Sequence, residues 1–181
     1  MLNDFFATWD PDARTKLCAS INQLVSTFRA KNLPIIWVRQ EFEPDLSDAF
    51  AEMRMKNIQK TIKGTSGCQI LSELSVQPGD DIVVKKRYSA FFRTGLDDLL
   101  AKLKPDTLVF AGINTHACIR TAVIDAYQRD WPVAIALDCV DSWDKEHHRV
   151  SLGYMVGKLA SGLSNEQIIE RLEKGELLSR V

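Results

Sequence analysis

Cys118 combines a reactive side chain with a position that could activate it. It follows an apolar run at residues 107–111 and a short turn, and it opens the next helical pattern. The partial positive charge and the N–H groups at a helix start stabilise a thiolate and can bind the oxyanion formed in acyl transfer. The position therefore predicts a nucleophilic cysteine. The alternative is a small buried core residue, the commoner role of a free cysteine.

Lys85 is the second residue whose position suggests chemistry. It is the first of three consecutive basic residues and directly follows the apolar run at 82–84. If that strand neighbours the strand before Cys118, the ammonium group would lie beside the cysteine and could hold its thiolate. The alternative is that a basic strand end simply meets solvent, as charged residues usually do.

The three histidines do not have the spacing of a metal site. We interpret His148 as a structural hydrogen-bonding residue and His116 as a surface turn residue, with a general base as the alternative for His116. No glycine-rich dinucleotide or phosphate-binding motif occurs. The sequence therefore predicts neither a cofactor nor a metal.

Composition limits the class of protein. The 181 residues are 45% hydrophobic and 26% charged with a net charge of -1, which indicates a globular domain and argues against a nucleic-acid partner. No apolar run reaches the roughly 20 residues of a membrane span, and the amino terminus does not have the pattern of a signal peptide. Four cysteines without paired spacing are typical of a reducing compartment, so we expect a cytoplasmic protein.

Strand-like and helix-like segments alternate along the chain. Uninterrupted apolar runs predict strands near 35–38, 82–84, 107–111 and 133–137. Helical patterns lie near 11–31, 94–103, 119–126 and 144–160 and from Ser164 onward, with a weaker one over 49–63. This alternation predicts a single α/β domain over residues 1–181, with a mainly parallel sheet between two layers of helices.

Taken together, these segments resemble the isochorismatase-like cysteine hydrolases. The resemblance covers nearly the whole chain and rests on Gly-Thr-Ser-Gly at 64–67, on residues 83–94 and on residues 112–122, with His148, Leu152 and Met155 matching a later helix. The fold it implies is a three-layer α/β/α domain of Rossmann type.

The resemblance also implies roles for individual residues. The family hydrolyses amide or related bonds with an Asp–Lys–Cys triad, in which Cys118 would be the nucleophile. Lys85 matches the triad lysine because it stands four residues before the serine of Ser-Ala-Phe at 89–91. A cis peptide bond would join Ile113 to Asn114, and the N–H groups of Asn114 and Cys118 would bind the oxyanion. Our candidates for apolar walls of the substrate pocket are Phe5, Phe6, Tyr88 and Phe91.

One part of the family pattern falls outside the sequence. The family's first strand ends in the triad aspartate, which would stand immediately before Met1, whereas Asp4 matches a structural aspartate. We therefore expect a sheet without its first, central strand and poor stability as a monomer. Three explanations of the missing strand and aspartate are a start assigned at an internal methionine, a shortened chain and an inactive relative. We favour the first two.

The resulting hypothesis is a metal-free cysteine hydrolase that acts on a small amide, carbamoyl or similar C–N substrate through a thioester. The stretch 38–45 contains no histidine, which disfavours a metal-dependent nicotinamidase. The alternatives are a catalytically silent oligomeric relative without the triad aspartate, and an isochorismate vinyl-ether hydrolase. Expected partners are the small-molecule substrate and further copies of the chain, with Trp131, Trp143 and Tyr154 as possible contact aromatics.

Overall fold

Strands and helices alternate in the order that the apolar runs predict. The computed structural model describes residues 1–179. Its strands are β1 (Ile36–Gln40), β2 (Asp81–Lys85), β3 (Leu108–Ile113), β4 (Val133–Asp141) and β5 (Ser161–Leu163). Its helices are α1 (Asn3–Phe6), α2 (Pro11–Ala30), α3 (Ala51–Lys56), α4 (Leu96–Leu103), α5 (Arg120–Tyr127), α6 (Lys145–Met155) and α7 (Asn165–Lys174).

Local signals decide where the longer helices begin. Asp10 caps α2 by accepting a hydrogen bond from the N–H of Ala13 at 2.8 Å, and Pro11 occupies the first helical position, where its missing N–H costs nothing. Ser164 and Gln167 form the reciprocal capping box of α7 that their spacing predicts. Both starts are therefore encoded within a few residues.

All the strand pairs are parallel, but the strands form two separate groups. β1 pairs with β2, placing Gln40 opposite Lys85, while β4 lies between β3 and β5. Residues 133–136 of β4 are fully buried, as the central strand of a parallel sheet requires. The predicted α/β architecture is confirmed.

Side chains of both strand groups alternate between the same two apolar layers. Trp37 of β1 and Val109 of β3 belong to the layer covered by α2 and α7. Ile36, Val38 and Phe110 belong to the opposite layer, which α4, α5 and α6 cover. The two groups therefore lie in one common sheet plane between two helical layers.

The structure corrects several element boundaries. The weak pattern over 49–63 forms a helix only at Ala51–Lys56, and α6 ends at Met155, ahead of residue 160. The sequence pattern did not predict α1 and β5, which have four and three residues, because such short segments show no detectable periodicity. Among residues 1–179, no helix has both the length and the apolar character needed to cross a bilayer.

A groove separates the two strand groups. It has a volume of about 630 Å³, and residues of β1 and β3 form its two long walls. No strand pairing joins β1 to β3 within residues 1–179. Side chains at 108–110 are only half-buried, whereas those at 133–136 on the neighbouring strand are fully buried. The groove thus lies where the resemblance places a central strand.

Filling this groove should stabilise the fold. We predict that a six-residue apolar strand-forming segment joined before Met1 raises the midpoint of thermal unfolding by about 5 °C or more, because it buries apolar walls and pairs backbone groups. A matched segment with prolines at alternate positions provides the control, since proline cannot donate to a strand ladder. Equal midpoints for the two extended chains, followed by circular dichroism, would contradict the prediction.

Candidate active site

The turn after β3 presents Cys118. The Ile113–Asn114 peptide bond is cis, and a π-helical turn, Thr115–Ile119, follows it and leads into α5. The carbonyl of Asn114 accepts hydrogen bonds from the N–H groups of Ala117 at 3.1 Å and Ile119 at 3.2 Å. Cys118 is half-buried and belongs to this π-helical turn, whereas the sequence pattern placed it in the first turn of the helix that follows.

Neighbouring elements anchor this turn. The hydroxyl of Thr115, which is fully buried, donates to the carbonyl of Asp141 at the end of β4 over 3.1 Å. Nδ1 of His148 on α6 lies 2.9 Å from the same hydroxyl oxygen. These two contacts hold the turn against β4 and α6. They also give His148 the structural hydrogen-bonding role expected of it.

Lys85 ends β2 with its side chain inside the protein. It is 6% exposed, and its Nζ donates to the carbonyl of Tyr88 at 2.5 Å. In the part of the chain that the structure describes, it forms no salt bridge with a carboxylate. By contrast, the next residue, Lys86, is paired with Asp48 at 2.8 Å. A buried ammonium group without a carboxylate is costly unless another anion offsets its charge.

Cys118 and Lys85 line the same groove. Their strands are not neighbours, because β1 and the groove lie between β2 and β3. The two residues therefore belong to opposite walls of the groove, whereas the sequence pattern was compatible with adjacent strands. Burial lowers the pKa of the α-amino group of Met1 to about 6; the charge of Cys118 raises this pKa and that of Lys85 lowers it. Met1 thus lies within electrostatic range of both side chains.

The predicted pocket walls divide into two groups. Phe5, Tyr88 and Phe91 line the groove, as does Ile113. Phe6 does not: it is 2% exposed and packs on Trp9, with ring centroids 4.6 Å apart. Consecutive residues of a helical turn point roughly 100° apart, so α1 directs only one of the two phenylalanines to the groove.

Two polar side chains near the groove, those of Gln40 and Asn114, were not predicted from the sequence. For Asn114, the sequence indicated a role only for the backbone N–H. Gln40, buried at the end of β1 beside Lys85, also lines the groove, and its only sequence signal is that it stands two residues after the apolar run 35–38. The side-chain oxygen of Asn114 is buried and has no hydrogen-bond partner among the described residues. The backbone carbonyl of Asn114, in contrast, accepts the two hydrogen bonds of the turn described above.

Asp4 fixes the amino-terminal segment against residues 61–67. Its carboxylate accepts a hydrogen bond from the N–H of Thr61 at 2.6 Å. It also lies against Gly67, where an added Cβ would come within 2.2 Å of a carboxylate oxygen. This contact requires glycine at 67, while the N–H of Leu71 donates to the carbonyl of Met1 at 3.2 Å, and Met1 lines the groove.

The remaining histidines do not face the groove. Nδ1 of His116 lies 3.0 Å from the hydroxyl oxygen of Ser142, and burial lowers the pKa of His116. His147 lies at the surface with its Nδ1 2.7 Å from a carboxylate oxygen of Asp144. Within residues 1–179, no three histidine, cysteine or acidic side chains are arranged to hold a metal ion.

The fold and the groove define an α/β protein with a cysteine and a buried lysine facing one cavity between parallel strands. Comparison with known proteins identifies the family. The isochorismatase domain matches residues 1–167, so the chain belongs to the isochorismatase family.

Similar sequences include enzymes and a protein described as inactive. The chain is 30% identical over 141 residues to a ureidoacrylate amidohydrolase of Methylorubrum extorquens, covering 69% of this chain and 57% of that protein. It is 30% identical over 161 residues to a probable inactive nicotinamidase of Arabidopsis thaliana, covering 84% and 82%. The chain therefore spans little more than half the length of the amidohydrolase.

Solved structures share the fold. An isochorismatase family protein from Desulfovibrio vulgaris superimposes with a TM-score of 0.86 at 24% identity, covering 96% of this chain and 94% of the other. N-carbamoylsarcosine amidase from Thermoplasma acidophilum gives 0.77 at 24% identity, covering 92% of each chain.

The cysteines should differ in reactivity. We predict that iodoacetamide alkylates Cys118 at least about tenfold faster than Cys18, Cys68 or Cys139, because only Cys118 is half-exposed. Burial also raises the pKa of Cys18 and raises that of Cys139 to about 12. Peptide mass spectrometry of the native protein measures the four rates, with the urea-unfolded chain as the control. Equal native rates would contradict the prediction.

Proposed function

We propose that this protein is a cysteine hydrolase that acts on a small amide, carbamoyl or similar C–N substrate. The observation that carries the proposal is that Lys85, a buried cation without a carboxylate partner among residues 1–179, faces the same groove as Cys118. A thiolate at Cys118 is an anion that such a cation stabilises. The pair is thus suited to keeping a sulfur nucleophile ionised.

The reaction follows from these groups. The thiolate of Cys118 attacks the carbonyl carbon, and the carbonyl electrons move to oxygen, where backbone N–H groups of the 113–118 turn bind the oxyanion. Collapse of the tetrahedral intermediate breaks the C–N bond, and the amine leaves with a proton. Water then attacks the thioester and gives one proton to a base; the C–S bond breaks, which releases the acid and restores the thiolate.

Proton transfer in this scheme needs a base. In the family that this chain resembles, the triad aspartate would stand immediately before Met1, a residue within electrostatic range of both Cys118 and Lys85. A carboxylate there would take the proton of the thiol and return it to the leaving nitrogen. It would also supply the negative charge that Lys85 does not have among the described residues.

The names of two similar proteins support the C–N substrate class. One is a ureidoacrylate amidohydrolase and the other an N-carbamoylsarcosine amidase. The walls near Cys118 are apolar side chains, including Phe5 and Phe91, with Gln40 as a polar group. Such a site suits a small substrate with one polar reacting group.

A silent relative is the second candidate. It is favoured by the similarity to a probable inactive nicotinamidase over most of both chains. In this case the fold and groove would persist without turnover.

Replacing Cys118 separates the two candidates. In a chain that carries a strand-forming segment and an aspartate before Met1, Cys118→Ala should lower amide hydrolysis by about a thousandfold or more, because the nucleophile is lost. Cys18→Ala, which removes a buried thiol from α2, should leave turnover unchanged. A panel of small ureido, carbamoyl and amide substrates provides the assay. Absence of Cys118-dependent turnover across the panel would favour the silent relative.

The electrostatic effect of Lys85 on Cys118 can be tested with Lys86 as the matched control. Lys85→Met should slow alkylation of Cys118 by iodoacetamide at neutral pH by about tenfold, because the thiolate loses a nearby cation. Lys86→Met removes the same charge from the adjacent residue, which is paired with Asp48, and should leave the rate unchanged. Equal rates in the two variants would rule out an electrostatic role for Lys85.

A further inference from the structure

Gln40 is a buried polar side chain whose amide has no partner among the described residues. It is 5% exposed at the carboxyl end of β1, and its side-chain amide forms no hydrogen bond within residues 1–179. Its two neighbours differ: Nη2 of Arg39 lies 3.0 Å from Oε2 of Glu41, so these side chains pair with each other. Buried amides are nearly always hydrogen-bonded, because an amide that loses water without gaining a partner costs free energy. The amide of Gln40 is therefore suited to bind a ligand.

Gln40 shares one face of the sheet with Lys85 and the cysteine turn. β1 and β2 pair in parallel with Gln40 opposite Lys85. Side chains alternate along a strand, so Gln40 lies on the face of Val38, which packs in the apolar layer that α4, α5 and α6 cover. Ile119, the residue after Cys118, packs in the same layer. Since Gln40, Lys85 and Cys118 also line one groove, a molecule bound at Cys118 would meet the amide of Gln40.

The side-chain oxygen of Gln40 offers what the other polar groups near Cys118 do not. The ammonium group of Lys85 and the backbone N–H groups of the 113–118 turn are donors only, whereas a carboxamide oxygen accepts. A substrate whose reacting carbonyl carbon carries an NH2 group could therefore donate to Gln40 while its carbonyl oxygen faces the donors. A methyl group in place of NH2 has nearly the same size but donates nothing.

We propose that Gln40 determines the specificity of this site and selects substrates whose reacting carbonyl carbon bears an NH2 group. The inference rests on the proposed hydrolase function and narrows its substrate class to N-carbamoyl compounds. Oε1 of Gln40 accepts a hydrogen bond from the NH2 group while the thiolate of Cys118 attacks the carbonyl carbon. The bond from that carbon to the leaving nitrogen breaks, and the amine leaves with a proton from the base. Water then attacks the S-carbamoyl thioester and returns a proton to the base, and the C–S bond breaks to release carbamic acid.

Binding tests the role of Gln40 without turnover. The ligands are matched pairs of N-carbamoyl and N-acetyl derivatives of the same small amines, which differ only in NH2 against CH3. In the full chain with Cys118→Ala, which cannot consume them, calorimetry should show at least about tenfold tighter binding of the carbamoyl member, because CH3 leaves Oε1 of Gln40 without a donor. Equal affinity for the two members, absence of binding of both included, would overturn the proposal.

Substitutions of Gln40 assign the preference to its oxygen. Gln40→Met keeps the length of the side chain and should abolish the preference, whereas Gln40→Glu keeps an acceptor and should retain it. Gln128→Met makes the same change at an exposed glutamine after α5 and should leave the preference unchanged. A merely structural role for Gln40 would weaken both ligands equally and preserve their ratio. A preference that survives in folded Gln40→Met, or that is lost in Gln40→Glu, would overturn the proposal, and circular dichroism checks the fold of each variant.

Turnover then separates this inference from the hydrolase function. Both members of a pair release the same amine, so one assay follows both in the chain extended before Met1. We expect kcat/KM to favour the carbamoyl member by at least about tenfold, and Gln40→Met to lower turnover of that member alone. Carbamoyl-selective binding without Cys118-dependent turnover would support the role of Gln40 and contradict the hydrolase function. Turnover with equal kcat/KM for the two members would support the hydrolase and overturn the role of Gln40.

Discussion

The structure depends on two helical layers that hold separate strand groups in one plane. Trp37 and Val109 reach one apolar layer, while Val38 and Phe110 reach the other, although no pairing joins their strands within residues 1–179. Burial of apolar surface on both faces, which is non-directional, can align the two groups without a hydrogen-bonded ladder between them. This alignment is what makes a groove between β1 and β3.

The groove then decides what the polar residues can do. Parallel strands bring their carboxyl ends to one edge, so Lys85 from one group and Cys118 from the other face the same space. The hydrogen bond from Lys85 to the Tyr88 carbonyl fixes the ammonium but does not neutralise it. The neighbouring Lys86 shows the contrast, since it meets a carboxylate at the surface. A buried cation without a carboxylate partner among the described residues is suited to offset the charge of a nearby anion, and the thiolate proposed for Cys118 would be such an anion.

Much of this arrangement could be predicted from short stretches of sequence. The capping box of Ser164 and Gln167 and the proline start of α2 are encoded within one helical turn, and the buried run 133–136 identifies a central strand. The resemblance pointed to Lys85 and Cys118 because each sits in a distinctive local motif. Where the local signal was weak, as over 49–63 or in the three-residue β5, the prediction was wrong or incomplete.

The sequence alone determined the alternation of strands and helices, the helix starts and the candidate reactive residues, because propensity, capping and apolar period act over a few residues. Only the tertiary structure decided which side chains meet. It placed Phe5 at the groove and Phe6 in the core, brought Gln40 beside Lys85, and left Trp143 exposed over His116. These outcomes depend on the packing of elements distant in the chain, which no short segment encodes.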